Sequence, residues 1–273
     1  MKQVTDNPLL KHLMQAFRIT PEQLNASLDF YRNNFQGYDN EIYSRIDTRL
    51  VHLATFLDRR DWFGKRFDLV FKQFPDKDYE VQPDEMIDIG FSLPYLPIRW
   101  NEENSHRLFP EYVLVDKFES AGIVSEEILK YINDKWRHRS TKAKIIIGDL
   151  HDDATIDAIV SKSKGARKLL VGIEAVEHLE NPNKFWELAD ELGNPNAIVS
   201  LPTGPKIPSH HMTFDTIEAA RKYLQQHMTI SEEEIVAPPG KWKEGDAFPC
   251  LVAHGRTQLS RPVKIYNIHK PYK

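Results

Sequence analysis

The sequence predicts an α/β fold: a doubly wound, mostly parallel sheet of about seven strands, with helices on both faces and a helical extension before it. Two observations predict the sheet. Short apolar runs alternate with helix-like segments between residues 86 and 227, which is typical of parallel strands joined by helical crossovers. The strand-like pieces after residue 233 follow one another without helices, which indicates antiparallel strands that close the sheet.

Each strand is recognised as a short run of apolar residues. The first five are expected over Met86–Phe91, Tyr112–Asp116, Ala143–Gly148, Lys168–Ile173 and Ala197–Leu201. Runs without polar alternation indicate strands that are covered on both faces. The helices between and after them are expected over Ser125–Arg137, Asp153–Ser161, Asn183–Leu192 and from Asp215, which has capping-box spacing to Glu218. The closing strands are expected over Glu234–Ala237, Cys250–His254 and Val263–Ile268.

The N-terminal part of the chain predicts helices. Asp6 or Asn7 is expected to cap a first helix that has Pro8 in its opening turn. Thr20 and Gln23 have the spacing of a capping box at the start of a second helix. One long amphipathic helix is expected from residue 39, because apolar residues form a single stripe there: Ile42, Ile46, Leu50, Leu53 and Leu57.

The change from helices to alternating elements predicts a boundary within residues 74–85. We therefore divide the chain into a helical extension over residues 1–75 and a sheet domain over residues 76–273. The extension is expected to pack on the sheet domain. A substrate lid or a dimer surface is the alternative, and the second of these would give a homodimer through these helices.

The composition is that of a globular protein, with 41% hydrophobic and 28% charged residues. No apolar run approaches the length of a membrane span, and the first residues lack the apolar core of a signal peptide. Cys250 is the only cysteine, which excludes an intrachain disulfide and a cysteine-rich zinc site. We therefore expect a cytoplasmic protein without a membrane partner. The net charge of −4 argues mildly against a nucleic-acid partner.

Acidic residues stand at the ends of three consecutive predicted strands: Asp88, Asp116 and Asp149. Right-handed crossovers bring the carboxyl ends of such strands to one edge of the sheet, which is where open α/β sheets bind ligands. A carboxylate there can accept hydrogen bonds from two ribose hydroxyls at once. The series therefore predicts a nucleoside site.

The order of these residues resembles the class I S-adenosylmethionine-dependent methyltransferases over about residues 84–227. The matching segments are MIDIGFSLP, YVLVD, IIIGDL and GIEAVEHLENP, the last similar to the family branch with the pattern EVxEHL. The resemblance implies a Rossmann-like domain that binds S-adenosyl-L-methionine. The cofactor roles that it implies are Asp88, Gly90 and Ser92 for the methionine part, Asp116 for the ribose, Asp149 and Leu150 for the adenine, and Glu174 for the floor of the site.

The first of these motifs departs from the family pattern. The family has three glycines at alternating positions, where this chain has Gly90, Ser92 and Pro94. Glycines allow positive φ and close approach of the backbone, whereas Pro94 and Pro97 remove donors and restrain the loop. We therefore expect either another loop path or weaker cofactor binding.

Glu177, His178 and the pair His210-His211 follow the fourth and fifth strands, which are neighbours in the expected sheet. They should face one pocket. Methyl transfer to oxygen or nitrogen benefits from a base with a pKa near neutrality, so His178, His211 and Glu177 are the candidate catalytic residues.

A metal is the alternative for the same residues. Glu174, Glu177, His178 and His211 or His210 resemble the Glu-x-x-Glu-His plus His set of the small-RNA terminal ribose methyltransferases, which implies Mg²⁺ or Mn²⁺. The EVxEHL pattern also occurs in methyltransferases without a metal.

Three functions are therefore compared. The first is methyl transfer to an oxygen or nitrogen of a small-molecule acceptor, with His178 as base and residues 203–214 shaping the pocket. The second is metal-assisted methylation of an RNA ribose. The third is a degenerate member of the family that binds or assembles without catalysis. A nicotinamide-dependent oxidoreductase is disfavoured, because the Gly-x-Gly-x-x-Gly pattern is missing.

Overall fold

A computed structural model describes residues 6–34, 40–57, 62–74, 82–103, 110–135, 141–204, 210–237 and 249–258. Seven strands form one sheet in the order β3-β2-β1-β4-β5-β7-β6. They are β1 (Glu85–Ile89), β2 (Glu111–Asp116), β3 (Ala143–Ile147), β4 (Lys168–Gly172), β5 (Asn196–Pro202), β6 (Met228–Val236) and β7 (Cys250–Thr257). The first five strands run parallel, and β7 pairs antiparallel with both β5 and β6.

Ten α-helices are assigned within the described ranges. The N-terminal ones are α1 (Pro8–Ala16), α2 (Pro21–Asn34), α3 (Asn40–Tyr43), α4 (Ile46–Leu57) and α5 (Asp68–Lys72), with a 3₁₀ helix over Trp62–Phe67. The others are α6 (Tyr95–Glu102), α7 (Glu119–Lys135), α8 (Asp153–Lys162), α9 (Asn183–Glu191) and α10 (Ile217–His227), with a 3₁₀ helix over Val176–His178. None of the described helices is long and apolar enough to cross a membrane.

Helices cover both faces of the sheet, which confirms the doubly wound fold. One buried cluster joins α1, α4, α6 and α7 to one face, where it includes Met86, Leu114 and Ile198. The other joins α8, α9 and α10 to the opposite face. The N-terminal helices therefore share a core with the sheet, and their removal would expose part of this core. The predicted division at residue 75 stays a prediction.

The predicted caps of the first two helices are present. The Asn7 side chain accepts hydrogen bonds from the amides of Leu9 and Leu10, and Pro8 opens α1. The Thr20 hydroxyl accepts from the Gln23 amide at 3.2 Å, and the Gln23 side chain accepts from the Thr20 amide at 2.8 Å. These reciprocal bonds satisfy amides that the helix itself leaves open.

The prediction of one long helix from residue 39 is wrong, because the helix is interrupted between α3 and α4. Side chains take the carbonyl groups that a continuous helix would use. Arg49 and Ser120 donate to the Tyr43 carbonyl, and the Thr48 hydroxyl donates to the Ile42 carbonyl. Since these carbonyl acceptors are occupied by side chains, the apolar stripe is divided between two helices, the short α3 and the longer α4.

Two predictions in the C-terminal half also need correction. Thr216, and not Asp215, caps α10, because its hydroxyl accepts from the Ala219 amide at 3.1 Å. The strand expected at Glu234 begins six residues earlier as β6, which starts at Met228. The strand expected over Val263–Ile268, most of the boundary segment and residues 205–209 of the predicted acceptor loop lie outside the described residues.

Candidate cofactor and acceptor site

The turn after β1 places its backbone close to the loop after β4. Gly90 has φ +66° and Ser92 has φ +50°, so both are in the left-handed region. A Cβ on Gly90 would lie 2.9 Å from the Cβ of Ala175, which leaves no room for a side chain. Gly90 is therefore required here by conformation and by space, whereas Ser92 carries the strain that the family's second glycine would avoid.

The prolines of this turn do not break the chain path. Pro94 is the N-cap of α6 and Pro97 is its third residue. The first turn of a helix needs no amide donors, so both prolines are compatible with it. The loop therefore leads directly into a helix, which is the outcome that the sequence did not predict.

Asp116 ends β2 in a buried position, with 6% of its surface exposed. Its two oxygens accept from the Ser92 amide at 3.1 Å and the Phe118 amide at 2.8 Å. Arg49 from α4 lies 3.8 Å from the same carboxylate. Burial raises the pKa of Asp116, and the Arg49 guanidinium acts in the opposite direction.

Asp88 lies beside Asp116 in the sheet and is 4% exposed. Burial raises the pKa of Asp88 well above its usual range, and the nearby charge of Asp116 adds to this. A carboxyl group in this position can hold its proton at neutral pH and donate a hydrogen bond.

Asp149 follows β3 and is held by its own loop. Its carboxylate accepts from the His151 amide at 2.9 Å and pairs with the His151 ring at 2.7 Å. These bonds lower the pKa of Asp149 against the effect of partial burial. The Leu150 side chain is buried at 3% exposure among the residues of the second core cluster.

Glu174 lies in the left-handed region with φ +53°, at the turn after β4. Its amide donates to the Ser200 hydroxyl at 2.7 Å. Its carboxylate forms an ion pair with Arg66 of the 3₁₀ helix over Trp62–Phe67 and accepts from the Cys250 thiol at 3.2 Å. Burial opposes ionisation, but Arg66 above all and the thiol bond lower the pKa of Glu174.

Three further side chains converge beside this pair. Ligand atoms of Glu177, His178 and His210 all lie within 4.8 Å of one another. The two rings are edge to face with centroids 4.8 Å apart. Glu177 is fully buried, and neither of its oxygens has a hydrogen-bond partner among the described residues. Burial and the charge of Glu174 raise the pKa of Glu177 well above its usual range.

His210, rather than His211, is the buried histidine of this cluster. Burial and His178 lower the pKa of His210 to about 4, so its ring is neutral at pH 7. Its Nδ1 atom has no partner in the described part of the chain. His211 is exposed, and its amide donates to the Glu177 carbonyl at 2.8 Å. His210, and not His211, therefore belongs to this cluster, which corrects the expected metal-binding set, and a catalytic role for the exposed His211 stays a prediction.

The sequence also missed three residues of the site: Arg49, Arg66 and Cys250. Arg49 carries a signal that could have been used, because it lies among Ile46, Leu50 and Leu53 on the apolar stripe of α4. An arginine in such a stripe must be paired in the interior. Arg66 and Cys250 carry no comparable signal, since long-range packing alone brings them to Glu174.

The site lies at the carboxyl edge of the sheet. The strand order and the antiparallel seventh strand allow a comparison with solved structures. No family model matches the sequence, and no curated protein matches it. The small RNA methyltransferase HEN1 superposes with a TM-score of 0.51 at 15% identity, over 73% of this chain and 26% of HEN1. The chain has the class I methyltransferase fold.

Two further solved structures are similar at lower scores. An rRNA methylase from Escherichia coli has 13% identity and a TM-score of 0.43, over 88% of this chain and 78% of that one. A SAM-dependent methyltransferase from Anabaena variabilis has 11% identity and a TM-score of 0.42, over 72% and 92%. This chain spans about a quarter of the length of the HEN1 structure.

The residue types at the carboxyl edge of the sheet fit an adenosyl cofactor. The turn at Gly90 has no side chain between the β1 and β4 loops, and carboxylates stand at the ends of β1 and β2. A cleft of about 310 Å³ near Lys168 and Asn196 lies at the amino ends of β4 and β5, so it belongs to the other edge of the sheet.

Proposed function

We propose that this protein is an S-adenosylmethionine-dependent methyltransferase that acts on an oxygen or nitrogen of a small-molecule acceptor. One observation carries the proposal: buried groups able to bind a nucleoside and groups able to move a proton share the carboxyl edge of a methyltransferase-type sheet. The bound cofactor would supply an electrophilic methyl group on its sulfonium.

The chain's own residues have separate tasks in this proposal. Asp116 binds the ribose hydroxyls, Asp88 with the Gly90 turn seats the methionine part, and Asp149 borders the adenine. His178 takes the proton from the acceptor as the acceptor's lone pair attacks the methyl carbon. Glu177 is buried beside His178, and the ionised Glu174 nearby compensates the positive charge of the His178 ring once that ring is protonated.

Calorimetry with S-adenosylmethionine and S-adenosylhomocysteine tests the proposal. We expect both to bind, and we expect Asp116→Asn to weaken the binding by about 1–3 kcal/mol through the loss of buried charged hydrogen bonds. Asp149→Asn is the matched variant at the more exposed adenine side and should lose less. If neither ligand binds at millimolar concentration, the protein is instead a binding or assembly protein that uses this fold without catalysis.

Metal-assisted methylation of an RNA ribose is the second candidate. Its support is the donor set, because the oxygens of Glu177 and Nδ1 of His210 are buried without partners among the residues described. A buried polar group of this kind requires a partner, and one carboxylate with two imidazoles fits a divalent transition ion better than Mg²⁺. Glu174 is not free to join this set, because Arg66 holds it.

Metal analysis separates the two candidates. Metal-assisted RNA methylation predicts about one Mn²⁺ or similar ion per chain after reconstitution. It also predicts that a chelator abolishes turnover and that Glu177→Gln no longer binds the ion. Methylation of a small-molecule acceptor without a metal predicts that a chelator leaves turnover unchanged. Methylation of a synthetic RNA duplex, compared with a panel of small hydroxyl and amine acceptors, then identifies the substrate class.

A further inference from the structure

The N-terminal helices contribute two arginines to the carboxyl edge of the sheet. Arg49 on α4 is 1% exposed and Arg66 on the 3₁₀ helix is 5% exposed. Burying a guanidinium costs free energy unless charged or polar partners compensate it. In both cases the compensating carboxylate, Asp116 or Glu174, is one to which the resemblance assigns a cofactor role.

Arg49 contacts four groups, which lie on α3, the turn after β1, the end of β2 and α7. Its Nε donates to the Ser120 hydroxyl at 3.1 Å, Nη1 to the Ser92 hydroxyl at 2.9 Å and Nη2 to the Tyr43 carbonyl at 2.9 Å. Nη2 also lies 3.8 Å from the Asp116 carboxylate. The guanidinium thus donates to the β1 turn and lies within ion-pair distance of the carboxylate at the end of β2.

His52, one turn further along α4, strengthens the same contact. Its Nδ1 lies 2.8 Å from the Ser92 hydroxyl, so two side chains of α4 hold the turn that follows Gly90. Arg66 forms the equivalent contact at the turn after β4, where it pairs with Glu174. One helical layer therefore contacts the turns after β1 and β4 and the end of β2.

We infer that α4 is a latch, in which Arg49 occupies the Asp116 carboxylate, and that binding of the cofactor ribose and docking of α4 compete for this group. The inference rests on the proposed function. The ribose hydroxyls would replace the guanidinium beside Asp116, and Arg49 would lose its contacts with Asp116 and Ser92, which loosens α4 against the β1 turn while its apolar side chains stay in the core. Because the two states exclude each other, stabilising one must weaken the other by the same free energy.

Hydrogen exchange on the unmodified protein tests the latch directly. With saturating S-adenosylhomocysteine, amides of α4 (residues 46–57) should exchange faster than in the free protein, while those of β1 and β2 should be unchanged or slower. Amides of α9, on the opposite face of the sheet, are the internal reference. Unchanged or slower exchange in α4 would overturn the latch.

The variant Arg49→Gln gives a second measurement. Removing the competing charge should increase the affinity for S-adenosylhomocysteine by about fivefold or more. Arg45→Gln is the matched control, because Arg45 is exposed just before α4 and pairs with Asp47 rather than with the cofactor edge. Its affinity should equal that of the unmodified protein. An unchanged affinity in Arg49→Gln would overturn the latch, and a lower affinity would overturn it and show that Arg49 supports cofactor binding.

The two inferences fail in different ways. If S-adenosylhomocysteine binds neither the unmodified protein nor Arg49→Gln, the proposed function fails and the latch fails with it. If it binds but α4 does not respond, only the latch fails. Should Arg49→Gln not fold, the exchange measurement on the unmodified protein still decides.

Discussion

Glu177 is a carboxyl group without a hydrogen-bond partner in the described interior. Such groups are rare in native proteins and call for an explanation by a proton, an ion or a water molecule. Its raised pKa favours the protonated acid, whereas a bound cation would favour the carboxylate. The residue therefore distinguishes the two candidate chemistries, and His178 is the neighbour through which either one would act.

Replacing His178 should separate catalysis from cofactor binding. We expect His178→Asn to lower turnover by about 10²–10⁴-fold, because the acceptor loses its base, with the affinity for S-adenosylhomocysteine unchanged. Initial rates of S-adenosylhomocysteine formation and calorimetry measure the two quantities. His254→Asn, on β7 beside β6, is the control. The reverse result, weaker cofactor binding at normal turnover, would place His178 in the cofactor site.

Acid should destabilise the protein through its buried histidines. His227 is the simplest case, because burial is the main cause of its pKa shift. The ring stacks on Trp186 at 4.5 Å with 2% exposure, and burial lowers its pKa to about 4. Because the unfolded chain takes up the proton near pH 6.5 and the folded chain does not, stability is intact above pH 6.5 and is lost as the pH falls towards 4. His52 and His210 act in the same direction.

Denaturant unfolding between pH 7 and pH 4 measures this loss. His227→Gln should be less stable at pH 7 through lost stacking, but its free energy of unfolding should fall less steeply, by up to about 1.4 kcal/mol per pH unit. A slope equal to that of the unmodified protein would show that His227 is protonated in the folded state.

At the scale of the elements, the turn after β1 offers a test of packing. Gly90→Ala places a methyl group 2.9 Å from the Ala175 Cβ at φ +66°, whereas Gly193→Ala at φ +80° meets no atom within 4 Å. Both variants carry backbone strain, but only the first is overpacked. We expect Gly90→Ala to lose about 1–3 kcal/mol more stability than Gly193→Ala in thermal unfolding. Equal losses would mean that the β4 loop moves aside.

The elements that the sequence predicted are those with local signals. The apolar runs of β1 to β5 and the caps at Asn7 and Thr20 follow from spacing alone. Missed elements depend on partners that are distant in sequence. The helix α6 was missed because it begins at prolines, which usually end helices. Only the part of β6 before Glu234 was missed, and its acids Glu232 and Glu233 pair with Lys72 and Arg221.

The candidate site follows the same rule. The acids at the strand ends were predictable because β1, β2 and β3 run parallel and end at one edge. The choice between His210 and His211 was not, because it depends on which of two adjacent side chains the tertiary structure buries. Nor were the Arg49 and Arg66 contacts, which need the tertiary packing of the N-terminal helices on the sheet.

At the scale of the whole molecule, the N-terminal helices and the sheet share one buried cluster. We therefore expect a single cooperative transition in calorimetry, with equal calorimetric and van't Hoff enthalpies, and no folded product from a chain that starts at residue 82. Two resolved transitions, or a folded shortened chain, would show that the extension is an independent unit.

Cys250 connects these scales. It is the only thiol of the sequence and is fully buried on β7. Its thiol donates a hydrogen bond to Glu174, the carboxylate that also pairs with Arg66. Burial raises the pKa of this thiol well above its usual range, so an alkylating reagent meets a shielded and protonated sulfur. The rate at which such a reagent labels the native chain therefore measures how often the interior beneath the N-terminal helices opens to solvent. No probe has to be engineered for this measurement.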